Sequence, residues 1–298
     1  MSNKKIHTTK EIKEYHISKL IDSLDCIDKN AFNRDKQRDC ILSLYPNKKD
    51  RDIEHRDKSI FRGMVIPSLK YLGLIIGQGD FIRVSANGKL IIQSRFINPD
   101  LHQRVLSAVI YEIDETKLRL IENIRNFSSL TVKEFIDLIN GKIDAFSERS
   151  KMAIVRKWLA IFKQVNLIRS SSKRILLHEE DQMKINEEKL QQVLIDIDVN
   201  SKNLDDFKKC FLDFYFELAK NSAGVVDIAD LREKVSLKMI EEYRILTEDQ
   251  FDIMLRKIPF ETDEYIISLG KPMHARDKLF RYRDSYYRTI FLKMIKKG

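Results

Sequence analysis

The chain has 298 residues, of which 43% are apolar and 33% charged, with only 9 Gly and 5 Pro. This composition excludes a disordered chain and predicts a helix-rich globular protein, and the length predicts two or three domains. No run of about 18 apolar residues is present, which argues against a membrane-spanning helix. The first residues lack the apolar stretch of a signal peptide, so none is expected.

Positive and negative charges are separated along the chain, whose net charge is +9. Residues 1–142 carry 25 Lys/Arg and 19 Asp/Glu, and residues 143–174 carry 8 and 2. Residues 175–264 are acidic, with 12 and 22, and residues 265–298 are basic again, with 9 and 2. This separation favours a polyanion as the partner of the first 174 residues. The alternative is that charge simply varies along an ordinary chain.

Cysteine usage bears on the cellular compartment. The three cysteines, Cys26, Cys40 and Cys210, are an odd number and form no CxxC pair. This pattern predicts free thiols and a cytoplasmic location, where thiols stay reduced.

The stretch "KSIFRGMVIPSLKYLGLIIGQGDFIRVSANGK" (residues 58–89) predicts a helix, a β-hairpin and a second helix. Apolar residues from Phe61 to Leu72 recur at helical spacing, and Pro67 predicts a kink or a helix start within that run. Gly73 is expected to end the helix, glycines in "GQGD" suit the turn between strands "LII" and "FIRVS", and Ser85 is expected to cap the next helix. This order is the closing half of a winged helix-turn-helix.

A second copy of the pattern is "SERSKMAIVRKWLAIFKQVNLIRSSSKRILL". It has an apolar helical face around Trp158, a helix end at Asn166, a strand at Leu167-Ile168, a polar turn and the strand "RILL". Upstream, "TVKEFIDLING" predicts a short helix capped by Thr131 and stopped by Gly141. The Leu-Ile pairs of the two copies lie 93 positions apart.

A third, looser copy is "LTEDQFDIMLRKIPFETDEYIISLG", which predicts a helix, then Pro259-Phe260 another 92 positions on, a turn and a strand. It is preceded by a strand and a helix in "VVDIADLREKV". The basic end "HARDKLFRYRDSYYRTIFLKMIKKG" interleaves tyrosines with arginines. Such aromatics can stack on bases, but the alternation in "YYRTIFLKM" favours a half-buried strand. The predicted fold class is mainly α with small β-hairpins, in tandem winged helix-turn-helix subdomains. Two of these, residues 1–100 and 101–180, are predicted to recognise DNA, and residues 181–298 form a linker or docking subdomain.

A recognition helix presents its first residues to base edges, while the wing holds phosphates. Arginine suits guanine because its two-pronged guanidinium meets O6 and N7 together. In the first pattern, acids such as Asp52, Glu54 and Asp57 could accept from cytosine or orient the arginines. The alternative is an ordinary solvated helix face. The candidate DNA-binding residues are Arg34, Arg38, Arg51, His55, Arg56, Lys58, Arg62, Ser147, Arg149, Ser150, Lys151, Arg156, Lys173 and Arg174.

No catalytic or metal-binding motif stands out. The nearest candidate pairs Pro99-Asp100 with Glu115-Thr116-Lys117, as in PD-(D/E)xK nucleases, but both parts lie in predicted helices, where the carboxylates would not converge on Mg²⁺. The histidines show no HxH or HExxH spacing, and no phosphate-binding glycine motif occurs.

In its arrangement the chain resembles the DNA-recognition part of type IIS restriction endonucleases of the BpuJI kind, with the corresponding part of AlwI-like nicking endonucleases, and FokI more distantly. The stretches "FRGMVIPSLKYLGLI…GDFIRVSANGKL" and "RSKMAIVRKWLAIFKQVNLI" carry this resemblance. It implies that a monomer reads a short asymmetric site on double-stranded DNA. It also implies that recognition needs no cofactor and that Mg²⁺ belongs to a separate nuclease domain, so whether this chain is an enzyme stays open.

Two other functional classes fit the same pattern. A winged-helix transcription regulator or plasmid replication initiator usually binds repeated or palindromic sites as a dimer. A winged-helix protein-interaction scaffold has no sequence-specific affinity for DNA. The length and symmetry of the bound site distinguish these classes.

Overall fold

The computed structural model describes residues 12–47, 51–112, 121–122, 124–127, 129–139, 147–201, 203–272 and 279–295. The described chain is mainly helical with small antiparallel sheets, which confirms the predicted mainly α class. Within these residues, no helix is both long enough and apolar enough to cross a bilayer. The helices are α1 (Ile17–Lys29), α2 (Arg34–Ser43), α3 (Ile53–Arg56), α4 (Ile66–Tyr71), α5 (Ala86–Ile97), α6 (Pro99–Glu112), α7 (Val132–Ile139), α8 (Glu148–Gln164), α9 (Glu187–Ser201), α10 (Leu204–Ala219), α11 (Ile228–Glu241) and α12 (Glu248–Lys257).

The strands that the structure describes are short, and each pairing between them is antiparallel. Strands β1 and β2 form one hairpin and β8 and β9 another, while the three-stranded sheets have the orders β3-β5-β4 and β6-β10-β7. The strands are β1 (Ile75–Ile76), β2 (Arg83–Val84), β3 (Leu130–Thr131), β4 (Ile168–Ser170), β5 (Gln182–Ile185), β6 (Val225–Asp227), β7 (Tyr265–Gly270), β8 (Phe280–Tyr282), β9 (Ser285–Tyr287) and β10 (Thr289–Met294).

The chain divides into two compact units, each built from several segments. Unit 1 comprises residues 1–30, 35–72 and 106–193, and unit 2 comprises residues 31–34, 73–105 and 194–298. Helices α6 and α9 contribute residues to both units. The predicted boundaries near residues 100 and 180 stay a prediction.

In unit 1, α8 is the central helix because its apolar face is fully covered. Trp158 and Phe162 are inaccessible to solvent, and the Trp158 ring meets Tyr71 edge-on at 5.8 Å between centroids. The Gln164 side chain joins this helix to the start of α1, since Oε1 accepts from the Ile17 amide at 3.1 Å. Its Nε2 donates to the Tyr15 carbonyl at 2.7 Å. These contacts order the helix whose first turn forms the candidate site.

The prediction of three free thiols is wrong for two of them. Cys26 on α1 and Cys40 on α2 form a disulfide with their Cα atoms 5.6 Å apart, and Cys210 is free. The two positions lie 14 residues apart in sequence, on two different helices. A disulfide does not require the CxxC spacing, because the arrangement of the two helices in space brings the sulfur atoms together.

The first predicted pattern is confirmed in its capping and turn residues, with one difference in the helix. The chain is π-helical from Asp57 to Val65 and becomes α4 at Ile66, next to Pro67, because proline has no amide to continue the preceding hydrogen-bond series. Gly73 has a φ of +65°, and Ser85 accepts from the Gly88 amide as the cap of α5. The helical residues 57–71 belong to unit 1, and the hairpin β1–β2 belongs to unit 2.

In the second pattern, Asn166 has the expected positive φ of +60°, and Thr131 caps α7 by accepting from the Glu134 amide at 3.2 Å. The predicted stop at Gly141 lies outside the described residues. The predicted strand "RILL" is wrong, because the strand that pairs with β4 is Gln182–Ile185. Its alternation of exposed and buried residues fits a sheet with one covered face, and residues 174–177 instead belong to the connecting loop.

Unit 2 is built around a continuous apolar core from α10, α11, α12 and the sheet β6-β10-β7. Phe207, Phe211 and Tyr215 of α10 are buried in it, and the Tyr215 hydroxyl accepts from the Leu292 amide at 2.7 Å. The predicted half-buried strand near the C-terminus is confirmed as β10, whose Ile290 and Leu292 point into this core. The third pattern is confirmed in its order of a helix, a turn after Pro259-Phe260 and a strand, which begins at Tyr265.

The same order of described elements occurs twice. Strand, helix, helix, strand, connection and strand follow one another from β3 to β5, and again from β6 to β10. The last connection is a loop in the first copy and carries the β8–β9 hairpin in the second. In both sheets the last strand lies between the other two, giving β3-β5-β4 and β6-β10-β7. Of the three predicted copies, the second and third share this topology, whereas the first has a two-stranded sheet.

Candidate nucleic-acid interface

The cations at the start of α3 are largely paired with neighbouring acids. Asp52 caps the helix, with its Oδ1 accepting from the His55 amide at 2.7 Å. The Lys58 ammonium lies 2.7 Å from Glu54, and the hydrogen bond from that ammonium lowers the pKa of the Glu54 carboxyl. Arg62 contacts Asp57 at 2.5 Å. At this helix entrance, meaning the first turn and the residues just before it, Glu54 and Asp57 therefore bind Lys58 and Arg62. The sequence had left open whether these acids would orient the cations or accept hydrogen bonds from cytosine.

Arg51 and His55 form a second local pair, with 3.0 Å between the Arg51 Nη1 and the His55 Nε2. On α2, the Arg38 guanidinium contacts Asp39 at 2.9 Å and Asp35 at 2.8 Å. The hydrogen bond to Asp39 is the main cause that raises the pKa of Arg38. Arg34 is the first residue of α2 and is half-buried.

Arg56 is committed to the fold. Its Nη2 donates to the carbonyls of Leu42 at 2.6 Å and Tyr45 at 2.5 Å, at and beyond the C-terminal end of α2. Its Nε is buried with no hydrogen-bond partner in the described part of the chain. A guanidinium held in this way stabilises the end of α2 by donating to carbonyls that the helix leaves unpaired. We therefore assign Arg56 no base-reading role.

The entrance of α8 is the more open of the two. Ser147 caps the helix by accepting from the Ser150 amide at 3.2 Å, and the two hydroxyls lie 2.9 Å apart. Arg149 follows the cap and is exposed, and Lys151 is half-buried. Within the described residues Arg149 makes no ion pair, whereas Arg62 at the first entrance is bound to Asp57. The cap fixes where the helix begins and so fixes the position of Arg149.

Sequence reasoning missed one residue of this face. Positions 149, 153 and 157 are four apart, so Arg149, Ala153 and Lys157 lie along one stripe of α8, and Arg156 lies beside it. Ala153 is exposed and small, which leaves room for a partner to approach the backbone between the two cations. The four-residue spacing of Arg149 and Lys157 was visible in the sequence and could have identified Lys157.

Two cations of α8 hold the loop between β4 and β5, residues 171–181, which we call the β4–β5 loop. The Lys163 ammonium donates to the carbonyls of Ser172 and Arg174, the latter at 2.7 Å. Burial of this ammonium lowers the pKa of Lys163. Arg156 donates its Nε–H to the Leu177 carbonyl at 2.5 Å. Arg156, predicted to contact DNA, therefore orders the loop.

The first half of the β4–β5 loop is basic and exposed. Lys173 is exposed, and within the described part it makes no ion pair. The Arg174 Nη1 lies 2.6 Å from the His178 Nε2. The acidic second half of the loop is bound to the start of α7, where the Lys133 amide donates to the Glu179 carbonyl at 3.0 Å. The loop thus presents Lys173 and Arg174 together and keeps its acids at the other end.

No cluster of three or more His, Cys, Asp and Glu side chains that could hold a metal ion occurs among the described residues. Asp100 of the nuclease-like string lies on α6, and Glu115, Thr116 and Lys117 lie outside the described part.

Comparison of the chain with models of known protein families, with characterised proteins and with solved structures gives no significant match.

Proposed function

We propose that the chain binds double-stranded DNA in a sequence-specific way, and that the segments from α6 to β5 and from α10 to β10 are winged helices. Support comes from the repeated order of elements, in which two helices precede the last two strands of a three-stranded sheet whose final strand lies in the middle. In this proposal α8 is the recognition helix and the β4–β5 loop is the wing.

The exposed, capped entrance of α8 carries the proposal. Arg149 lies in the first turn, unpaired by any described acid, and Lys157 continues the same stripe two turns later. In a major groove such an arginine donates to guanine O6 and N7, and Lys173 and Arg174 of the loop hold phosphates. The first entrance supports the proposal less, because Lys58 and Arg62 are bound to acids and Arg56 is bound to backbone carbonyls. The pair of Lys58 and Glu54 is exposed and contributes little to stability, so a phosphate can replace that carboxylate.

The more specific form of the proposal is a recognition module of a type IIS restriction endonuclease that reads a short asymmetric site as a monomer. The exposed entrance of a single recognition helix, α8, favours this form, because one recognition helix in a monomer reads a site that need not be symmetric. Mg²⁺ enters only if a nuclease domain accompanies the module. The monomeric state is a prediction that goes with this proposal. A cytoplasmic location stays a prediction, but the Cys26–Cys40 disulfide contradicts the free-thiol pattern from which it was made.

The test compares two single substitutions on a DNA site selected from a random pool. Arg149→Ala is expected to lower affinity for the selected site by about 1–3 kcal/mol while leaving random DNA nearly unaffected, because it removes a base contact. Lys173→Ala is expected to weaken all sequences alike and to reduce the salt slope by about 0.9, because it removes a phosphate contact. Lys238→Ala, in unit 2 and paired with Glu241, is the charge-matched control.

The overall salt dependence gives a second readout. About six phosphate contacts predict a slope near −5 for log K against log salt concentration. A flat response, or the same loss on selected and random DNA for both substitutions, contradicts the assigned roles. An inverted repeat in the selected site favours a dimeric regulator, and absence of DNA binding favours the protein-interaction scaffold.

A further inference from the structure

The helix of unit 2 that corresponds to α8 has a closed entrance. Thr247 and Gln250 form a reciprocal cap at the start of α12, and Glu248 and Gln250 are each only 3% exposed. The Glu248 amide donates to the Asn87 side chain at 2.9 Å. The start of α5 therefore covers the turn that a recognition helix inserts into a groove. DNA contact by this repeat through that turn is sterically excluded.

The opposite end of α12 is basic and exposed. Arg256 and Lys257 occupy its last turn, and the Arg256 Nη1 donates to the Arg281 carbonyl of strand β8 at 3.1 Å. The Arg256 guanidinium also lies 6.0 Å from the centre of the Phe280 ring. The helix end and the β8–β9 hairpin thus form one surface. We call Arg256, Lys257, Arg281, Arg283 and Tyr286 the hairpin surface.

Aromatic stacking holds the hairpin surface in place. The Tyr282 ring stacks on Phe260 with 4.5 Å between centroids, and the Arg283 guanidinium lies 5.4 Å from the centre of the Tyr282 ring. Arg281 and Tyr286 are directly opposite each other on the two strands, and both are exposed, Tyr286 by 54%. Cross-strand partners project from the same face, so an arginine and a tyrosyl hydroxyl point into solvent together.

The three arginines of this surface make no ion pair with the acids that the structure describes. Among the described residues, Arg256, Arg281 and Arg283 have no carboxylate within 4.0 Å, whereas Arg288, just beyond the hairpin, is bound to Asp227 at 2.9 Å. Asp284 is the acid within the hairpin loop itself. Guanidinium groups fixed on an aromatic ladder suit phosphate, which they bind through two parallel hydrogen bonds, and a tyrosyl hydroxyl adds another donor.

We propose that the hairpin surface is a sequence-independent contact for the phosphate backbone of duplex DNA, and that unit 2 contacts DNA through its wing and not through its corresponding helix. This inference rests on the proposed function. It assigns the basic C-terminal segment a role in affinity, whereas base choice stays with α8.

The test uses the full chain with R281A/R283A, and the control is K234A/K238A. The control lysines are exposed, lie on α11 of the same unit and are paired with Glu217 and Glu241. Both double variants remove two positive charges. Each lost phosphate contact lowers the salt slope by about 0.9, which at 0.1 M salt corresponds to about an 8-fold loss of affinity. R281A/R283A is therefore expected to lose about 60-fold on selected and random duplexes alike, and the control is expected to match the wild-type chain.

A second variant separates charge from folding. R281K/R283K keeps both charges and is expected to retain the wild-type salt slope, and circular dichroism checks that each variant has the wild-type helix content. If R281A/R283A binds with wild-type affinity and salt slope while Arg149→Ala still loses selectivity, this inference is wrong and the proposed function is unaffected. An equal loss in K234A/K238A also overturns this inference. Failure of the wild-type chain to bind any duplex overturns the proposed function and this inference together.

Discussion

The buried ion pair between Arg232 of α11 and Asp252 of α12 gives the sharpest prediction about stability. The two side chains are 2% and 8% exposed and meet through two parallel hydrogen bonds of 2.8 Å, from Nε and Nη2 to the two carboxylate oxygens. Removing one partner from such a pair leaves an uncompensated buried charge. We expect Asp252→Asn or Arg232→Met to lower the free energy of unfolding of unit 2 by about 3–5 kcal/mol.

Replacing both partners by apolar residues of similar volume removes the uncompensated charge. The double variant R232M/D252L is therefore expected to be more stable than either single variant, with a coupling energy of at least about 2 kcal/mol. Urea titration followed by far-UV circular dichroism gives the free energies. The m-value is expected to stay constant if only stability changes.

The position of the single tryptophan helps to locate the effect. Trp158 lies in unit 1, so its fluorescence reports that unit, whereas circular dichroism reports both. Single variants within about 1 kcal/mol of wild type, or a double variant that loses as much as the two singles summed, would refute the reasoning. Either result would mean that the pair contributes no more than an exposed one.

Burial is the main cause that lowers the pKa of His102, so the folded state resists a proton that the unfolded chain binds at its ordinary value of 6.5. The contribution of neutral His102 to the free energy of unfolding is therefore fully present above pH 6.5 and decreases as the pH falls from 6.5 toward the pKa of the folded state. His102→Asn is expected to reduce this pH dependence of the melting temperature. Burial also raises the pKa of Cys210 from 9.0 to about 11, so alkylation at pH 8 is expected to be about 100-fold slower in the native chain than in urea. Mass spectrometry of the alkylated, unfolded chain is expected to show one modified cysteine before reduction and three after it; three before reduction would contradict the disulfide. Gly77 has a φ of +85°, and a Cβ there lies 2.0 Å from the Phe81 carbonyl oxygen, whereas nothing lies within 4 Å of a Cβ on Gly79. Alanine at Gly77 is expected to cost about 2 kcal/mol more than alanine at Gly79, and equal losses would contradict the close approach of Phe81 to Gly77 in this turn.

Local signals in the sequence were sufficient for the helix ends and turns. Ser85 and Thr131 are caps, Gly73 and Asn166 end helices with positive φ, and the pattern at residues 225–235 predicted a strand followed by a helix. Each of these depends on the conformational preference of one or two residues. Such preferences act within a few positions and do not need the tertiary fold.

What the sequence did not predict depends on residues that are distant in the chain. Arg56 was grouped with exposed cations, but the carbonyls of α2 that bind it could not be located from spacing. The strand at Gln182–Ile185 was missed because the apolar run "ILL" just before it was taken as the strand, although only Leu177 of that run is buried. Likewise, the closed entrance of α12 follows from packing against α5 and not from its own sequence "TEDQ".

Selection of bound duplexes from a random pool determines whether the chain reads a specific sequence in duplex DNA. We expect one short asymmetric sequence to be enriched, and we expect Arg149→Ala to lose base preference at one position of that sequence. A pool that remains random after repeated selection, with the folded wild-type chain present at concentrations that retain DNA, contradicts sequence-specific recognition.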